Sequence, residues 1–319
     1  MNEMIQFLLF PAGVGMLVLG AYLLVEGGSK VAAVLGVPPV VVGLTVVAFG
    51  TSAPEFFVSA IGALKGNTEL VLGNVIGSNV ANIGLILALA ALVRPVTVEK
   101  QLPRREVPFL IAVTLVFFGL AQDNSLSRLD GGILTLLFVL FMGYTLRSGS
   151  RGEEVAGMGP VQPLPVDGRR ARSLTTGSLQ ALAGMLGLAG GGHFIVTSAT
   201  ELAIKMGISE AVIGLTLVAV GTSLPELATT IMAAVKGQDD MALGNIIGSN
   251  LFNILGVAGP VAFASTLSSQ VSIMPELLGM TLLTALVFFM IWPRHRSIKR
   301  WQGMILLAIY ITCTVLWLV

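Results

Sequence analysis

Two glutamates carry the most demanding chemistry in this sequence. Glu55 ends the segment Gly50-Thr51-Ser52-Ala53-Pro54-Glu55, and Glu226 ends Gly221-Thr222-Ser223-Leu224-Pro225-Glu226. Both sit in long apolar stretches, where a carboxylate is costly and functional by default. The preceding proline adds a second feature. Pro54 has no N–H to give the carbonyl of Gly50, and its ring crowds that carbonyl. The helix is expected to break at Gly50-Thr51-Ser52, leaving carbonyls near Ala48 to Thr51 without helical partners. In lipid such groups need another partner, and a bound cation would serve. Pro225 acts in the same way on Gly221 and the carbonyls near Ala219 to Thr222. Glu55 lies one helical turn from Thr51 and Ser52 and two from Ala48, so these groups are expected to share a face. Glu226 repeats the arrangement with Ala219, Thr222 and Ser223.

Facing carboxylates repel, and one tends to keep its proton; a divalent cation removes both problems. The donors are all oxygens, which suit hard cations, and calcium takes about 6–8 of them in loose geometry. Magnesium fits less well because it demands a tighter octahedron and keeps its waters. Thiolate and imidazole are absent from these segments, which argues against zinc and copper. A second polar set follows each glutamate. Asn74, Ser78 and Asn82 form a stripe at helical spacing, and Asn245, Ser249 and Asn253 repeat it. Their neutral oxygens suit sodium and the walls of an ion path. Asn79 and Asn250 fall off the stripe and are expected to fix helix contacts.

These groups need a membrane scaffold, and the composition supplies one. Of 319 residues, 55% are hydrophobic and 11% charged, against about 25% charged in a soluble domain. That excludes a soluble enzyme and a disordered chain. A net charge of +1 argues against a nucleic-acid partner. The single cysteine, Cys313, allows no internal disulfide and no cysteine-built metal site. The first apolar run, Phe7 to Val25, has no positive segment before it and reads as a retained transmembrane helix, not a signal peptide.

Hydropathy predicts ten spans: 6–27, 38–64, 69–93, 107–122, 129–147, 176–201, 210–235, 240–264, 275–292 and 301–318. The one long connection, 148–175, carries Glu153, Glu154, Arg169, Arg170 and Arg172 among Gly and Pro and reads as a flexible tether. With both termini outside, the cytoplasmic loops collect Lys30, Arg94, Lys100, Arg104, Arg105, Arg147, Arg151, Arg169, Arg170, Arg172, Lys236, Arg294, Arg296, Lys299 and Arg300. Lys65, Arg128 and Lys205 stay outside. That asymmetry follows the positive-inside rule and predicts a multi-pass protein of the plasma (inner) membrane with the 148–175 linker in the cytoplasm.

The chain contains itself twice. Val41 to Glu55 aligns with Val212 to Glu226, Lys65-Gly66 with Lys236-Gly237, Gly73 to Asn79 with Gly244 to Asn250, and Asn82-Ile83 with Asn253-Ile254. The register never slips, and roughly half of the paired positions are identical. Five spans separate each residue from its mate, an odd number, so the copies cross the membrane in opposite directions. The predicted fold is all-α: ten transmembrane helices in two inverted-topology five-helix repeats, with binding near the midplane where they meet. The first half is 1–147, with its repeat at about 41–84; the second is 176–319, with its repeat at about 212–255.

The paired segments at Gly50–Glu55 and Gly221–Glu226, with Gly73–Asn79 and Gly244–Asn250, resemble the alpha-repeat motifs of the sodium/calcium exchanger family. The motifs cover about a quarter of the chain, and the ten-span layout extends the resemblance to all of it. The resemblance implies antiport, calcium leaving the cytoplasm as sodium moves in, through a shared cluster of one calcium site and several sodium sites. It implies Glu55 and Glu226 as central calcium ligands, joined by the carbonyls of Thr51 and Thr222. The carbonyls of Ala48 and Ala219, with Ser52, Ser78, Ser223 and Ser249, would serve sodium, and Asn82 and Asn253 would line the centre. Potassium-dependent relatives and some prokaryotic exchangers have Asp where this chain has Asn253, so no potassium requirement is expected. Related proton/calcium antiporters place their acids in a different motif, which ranks protons below sodium; calcium/proton or other divalent-cation/proton antiport is the alternative.

Two ionised glutamates with one calcium are about neutral, and with three sodium ions about +1, so three-to-one exchange would be electrogenic. Gly13, Gly15 and Gly20 in the first span, and Gly184, Gly187, Gly190, Gly191 and Gly192 in the sixth, offer smooth faces for an element that slides past the site. Glu26 and Glu201 are read as facing headgroups or water, and His193 as a hydrogen-bonded structural histidine. A channel would need a continuous path. A membrane enzyme would need a nucleophile, catalytic metal or cofactor loop, and no motif supplies one; no cofactor and no obligate protein partner are expected beyond Ca2+, Na+ and the bilayer.

Overall fold

The computed structural model describes residues 3–97, 105–150, 168–205, 219–291 and 297–318. Twelve helices fill them: α1 (Glu3–Leu35), α2 (Pro39–Thr51), α3 (Ala53–Leu64), α4 (Thr68–Val93), α5 (Glu106–Ala121), α6 (Arg128–Ser150), α7 (Gly168–Lys205), α8 (Ala219–Thr222), α9 (Leu224–Val235), α10 (Asp239–Ala264), α11 (Met274–Ile291) and α12 (Arg300–Leu318). Among the described residues, seven of these are long and apolar enough to cross a membrane, and the bent pair α2–α3 makes eight. Two more, α5 and α9, are apolar but shorter. Among the described residues eight of the expected spans thus meet a length criterion for spanning; the expected spans 107–122 and 210–235 overlie the shorter α5 and α9, and residues 210–218 of the latter lie outside the described residues.

Two boundaries differ most from expectation: α1 runs on to Leu35, past the predicted end at 27, and α7 starts early. Helix α7 starts at Gly168, so residues 168–175 form its first turns and are not tether. Among the described residues four two-residue strands interrupt the helices: β1 (Val96–Thr97), β2 (Ser125–Leu126), β3 (Leu267–Ser268) and β4 (Ser297–Ile298). β1 pairs antiparallel with β4 and β2 with β3. Each pair joins a loop of one half to a loop of the other. Val212 to Val218, Lys100, Arg104, Arg151, Glu153, Glu154, Arg294 and Arg296 lie outside the described residues.

Burial separates two classes of helix. In α4 and α10, 78% and 89% of the apolar window is buried, against 17% in α12 and 22% in α6. The repeat motifs thus form the centre, and the rest present apolar side chains such as Leu136, Val139, Phe289 and Val315 outward, where lipid is as apolar as they are. Both central helices loosen into a π-helical turn immediately after or around the stripe asparagine, at Asn82–Leu87 and Phe252–Ala258. Such turns cluster at functional sites.

Helices α1 and α7 pack together along their length. A Cβ added at Gly20 would meet the backbone N of Leu188 at 2.7 Å, and one at Gly184 the backbone N of Leu24 at 2.5 Å. Gly13 meets Gly191 and Ile195 as closely. The pair packs backbone to backbone at these glycines. A Cβ added at Gly15 would meet nothing within 4 Å, so this glycine is not required for the close approach.

Helices α3 and α9 end alike. Gly66 and Gly237 have φ of +75° and +73°, a conformation glycine adopts without strain. Asn67 N–H reaches back to the carbonyl of Gly62 and Gln238 N–H to that of Ala233, at 2.9 and 2.8 Å. This is the glycine-terminated Schellman ending. It fixes where Lys65 and Lys236, the last residues before each glycine, leave the bundle.

Candidate ion-binding site

The proline-driven break is present in both halves. The chain bends 45° between α2 and α3, at Ser52 with φ −86° and ψ 7°. Ser223 has φ −90° and ψ 4° at the start of α9. The consequence for the carbonyls is narrower than expected. The carbonyl of Ala48 accepts the N–H of Ser52 at 2.9 Å and lies 3.3 Å from Thr51 Oγ1, so it keeps a partner. Proline denies its N–H to Gly50 alone. A carbonyl has two lone pairs, and the second at Ala48 is still available to an ion.

Glu55 and Glu226 are 1% and 0% exposed. The serine that reaches each carboxylate comes from the opposite half, not from the same helix face. Ser52 Oγ donates to Glu226 Oε1 at 2.7 Å, and Ser223 Oγ to Glu55 Oε1 at 3.3 Å. The break turns the serine away from its own glutamate and across the pseudo-two-fold axis. Ser249 Oγ lies 3.5 Å from Glu226 Oε1. Oε2 of both glutamates is buried with no hydrogen-bond partner. A buried carboxylate oxygen without a partner is costly, and a cation relieves that cost.

The stripe residues divide into two kinds. Asn74 Nδ2 donates to the carbonyl of Glu55 at 3.1 Å and to Ser59 Oγ at 2.9 Å. Asn245 Nδ2 donates to Thr230 Oγ1 at 3.0 Å, and its Oδ1 accepts from Thr51 Oγ1 at 3.2 Å. These two asparagines brace the glutamate helices and do not line an open path. Ser59 and Thr230 were missed in the sequence, although each lies one turn beyond its glutamate at matching repeat positions. Thr51 Oγ1 is also 3.4 Å from Ser249 Oγ, and Thr222, Ser78 and Ser249 are buried. Helix α8 begins at Ala219.

Deeper in, Asn82 Nδ2 donates to Asn250 Oδ1 at 3.0 Å, while Asn79 Nδ2 turns to the carbonyl of Val75 in its own helix. Asn250 thus joins its helix to the one that carries Asn82, as expected, whereas the Asn79 bond stays within a single helix. Asn82 Oδ1, Asn250 Nδ2 and both amide atoms of Asn253 are buried without partners. Among the described residues no group of three or more His, Cys, Asp or Glu gathers. A cation between Glu55 and Glu226 would complete its shell with neutral hydroxyl, amide and carbonyl oxygens, which is oxygen-only hard-cation chemistry.

Two residues outside this cluster depart from expectation. Glu26 is half-buried and ion-paired, 2.9 Å from Lys236 Nζ and 3.7 Å from Lys30 Nζ. His193 is exposed on α7 beside Phe194, not a buried structural histidine.

The sequence model of a family described as sodium/calcium exchanger protein matches residues 5–147 and again 177–319. The chain belongs to the sodium/calcium exchanger family. It is 30% identical to sodium/calcium exchanger MaX1 of Methanosarcina acetivorans, over 96% of this chain and 97% of that one. It is 36% identical to the inner membrane protein YrbG of Escherichia coli (strain K12), over 93% and 92%. A solved structure of the sodium-calcium exchanger NCX_Mj superposes with a TM-score of 0.85 at 29% identity, covering 98% of both chains. As a member of this family the chain is a multi-pass membrane cation/calcium antiporter, a transporter by family. The two matches of one family model to the two halves agree with the internal repeat.

Proposed function

We propose that this protein exchanges Na+ for Ca2+ by alternating access and extrudes Ca2+ electrogenically. The observation that carries the proposal is the pair of buried carboxylates whose Oε2 atoms lack partners while Oε1 of each is held by the opposite half's serine. In this reading Glu55 and Glu226 hold Ca2+ with the carbonyls of Thr51 and Thr222. Na+ uses the carbonyls of Ala48 and Ala219 with Ser52, Ser78, Ser223 and Ser249, and Asn82 and Asn253 line the centre. Both ions need the same carboxylates, so each excludes the other, and that exclusion couples the fluxes. Asn253 adds no third charge, which supports sodium coupling without potassium.

The architecture we infer is ten spans in two inverted five-helix halves, 1–147 and 176–319, with both termini outside the inner membrane. The loop contacts support it. Every loop pairing unites segments the topology puts on one side: β1 with β4 in the cytoplasm and β2 with β3 outside. Arg94 reaches the carbonyl of Ala234, and Thr97 N–H reaches Asp239 Oδ2, both cytoplasmic in this assignment. Thr68 reaches the carbonyl of Ser268 on the outer side. An error of one span between any of these pairs would demand a contact across the membrane.

The test is the charge carried. Proteoliposomes loaded with Na+ and clamped with valinomycin and potassium should take up Ca2+ faster when the interior is made positive, because net positive charge leaves through the Na+ arm if more than two Na+ balance each Ca2+. The sign follows from 3 Na+ out against 1 Ca2+ in, a net outward charge: uptake should slow at negative and quicken at positive interior potential if the ratio is three. The measurable distinction is therefore any dependence on potential. Quicker uptake at positive interior potential supports three-to-one exchange, and indifference to potential refutes electrogenicity.

A further inference from the structure

The pseudo-two-fold symmetry of the bundle is broken at its two ends. At the cytoplasmic end, α1 packs on α9, and Leu24, Val25 and Ala233 are 0% exposed in one apolar cluster. Polar groups close over that cluster. Lys236 Nζ sits 2.9 Å from Glu26 and 3.7 Å from the centre of the Tyr22 ring. Ser29 Oγ donates to Gln238 Oε1 at 2.7 Å, and Lys30 Nζ to Gln180 Oε1 at 2.9 Å. In the repeat register the mate of Lys236 is Lys65, that of Gln238 is Asn67, that of Ser29 is Thr200 and that of Lys30 is Glu201; the mate of Glu26 is Thr197, so the acid of the outer end, Glu201, stands one helical turn beyond the place of Glu26. The mates are apart. Lys65 is exposed, Asn67 turns its side chain to the N–H of Leu70, and Glu201 Oε2 is buried without a partner. Ile195 and Val196, the mates of Leu24 and Val25, are only partly buried.

We propose that the two ends carry alternating polar latches. The cytoplasmic latch, Glu26 and Ser29 on α1 with Lys236 and Gln238 at the end of α9, is made here and closes the inward path. The outer latch, Glu201 and Thr200 on α7 with Lys65 and Asn67 at the end of α3, forms when the outside closes. The latches exclude each other because α1 and α7, packed at the glycines, move in this proposal as one body that cannot lean on both ends at once. Gly66 and Gly237 hold each lysine where its helix stops. The inference rests on alternating access and on the proposed orientation, but not on which ions are exchanged.

The test is thiol labelling in a Cys313→Ser background. Cysteine at Ala233, beneath the cytoplasmic latch, is labelled by a membrane-impermeant maleimide from the cytoplasmic side. Glu26→Gln and Lys236→Gln should each raise the labelling rate by about two- to five-fold, the population shift expected from a partly exposed ion pair. Lys65→Gln and Glu201→Gln should lower it, because they weaken the competing closed-outside state. The charge swap Glu26→Lys with Lys236→Glu should restore the starting rate. Equal rates in all variants, or a change of the same sign at both ends, overturns the proposal. If the Ala233 cysteine variant does not fold, cysteines at Glu26 and Lys236 should cross-link on oxidation and stop transport until reduced; cross-linking without arrest also overturns it. Calcium flux is followed in the same variants. Opposite-sign labelling with calcium flux that ignores sodium would keep the latches and reject the ion assignment. Sodium-driven flux with indifferent labelling would do the reverse.

Discussion

Glu226→Gln is nearly isosteric and removes one charge. Ser52 Oγ now donates to Glu226 Oε1 at 2.7 Å, and a glutamine carbonyl can accept that bond, so the cross-half contact and the fold survive. The loss falls on Oε2, the oxygen without a protein partner, where an amide NH2 would turn its protons toward the cation. Removing one partner from a fully desolvated charge cluster costs roughly 3–5 kcal/mol, or about two to four decades in affinity at 1.4 kcal/mol per decade. Glu55→Gln should cost a similar amount, since Ser223 plays the matching part. Two assays separate binding from motion. Thermal unfolding of purified protein should lose its shift with Ca2+, because a ligand stabilises only what it binds. Sodium-driven Ca2+ uptake in liposomes should fall to background. Uptake within tenfold of the parent in either variant, with the Ca2+-induced shift intact, would refute the assignment of these carboxylates.

Other substitutions probe the supports. Asn245→Ala leaves Thr230 and Thr51 without the amide that joins them and should cost roughly 1–3 kcal/mol of stability, read by thermal unfolding, while keeping measurable exchange. Gly20→Ala drives a Cβ to 2.7 Å from backbone and should destabilise by about 1–3 kcal/mol; Gly15→Ala, with nothing within 4 Å, should leave both stability and exchange unchanged. In the proposed site Asn253→Asp adds a third carboxylate to a cluster that already holds two. Its exchange should match the parent at acid pH, where the proton is kept, and diverge as pH rises and the acid ionises; a flat difference across pH would contradict this.

Much of the fold was legible because the bilayer imposes simple rules. Apolar runs located the helices to within a few residues at most ends, as at 69–93 against Thr68–Val93. The exceptions at Leu35 and Gly168 arose because polar helix ends, with Glu26, Ser29 and Lys30 in one and arginines in the other, look like loop or tether when only hydropathy is read. The repeat fixed which residues form the site, since register alone pairs Glu55 with Glu226. It could not show that Ser52 serves the opposite glutamate, because that depends on how far the break at Ser52 rotates the chain. Nor could spacing tell Asn74 and Asn245 from Asn82 and Asn253. All lie on one stripe, but two are spent on Ser59 and Thr230 and two keep buried amide atoms without partners. Glu26 looked like a solvated residue at a span end, and its partner Lys236 is far away in sequence. The contacts of Glu26 with Lys236 and of Ser29 with Gln238, made at one end only, lie beyond a motif pattern that is the same in both halves.

The most direct measurement is radiolabelled Ca2+ uptake into Na+-loaded liposomes containing the purified protein, diluted into Na+-free medium with a proton ionophore, with and without K+. Uptake that requires the Na+ gradient and ignores K+ is the expected result. No uptake under a Na+ gradient, with uptake driven by a pH gradient once the ionophore is omitted, would contradict sodium coupling and replace it with protons.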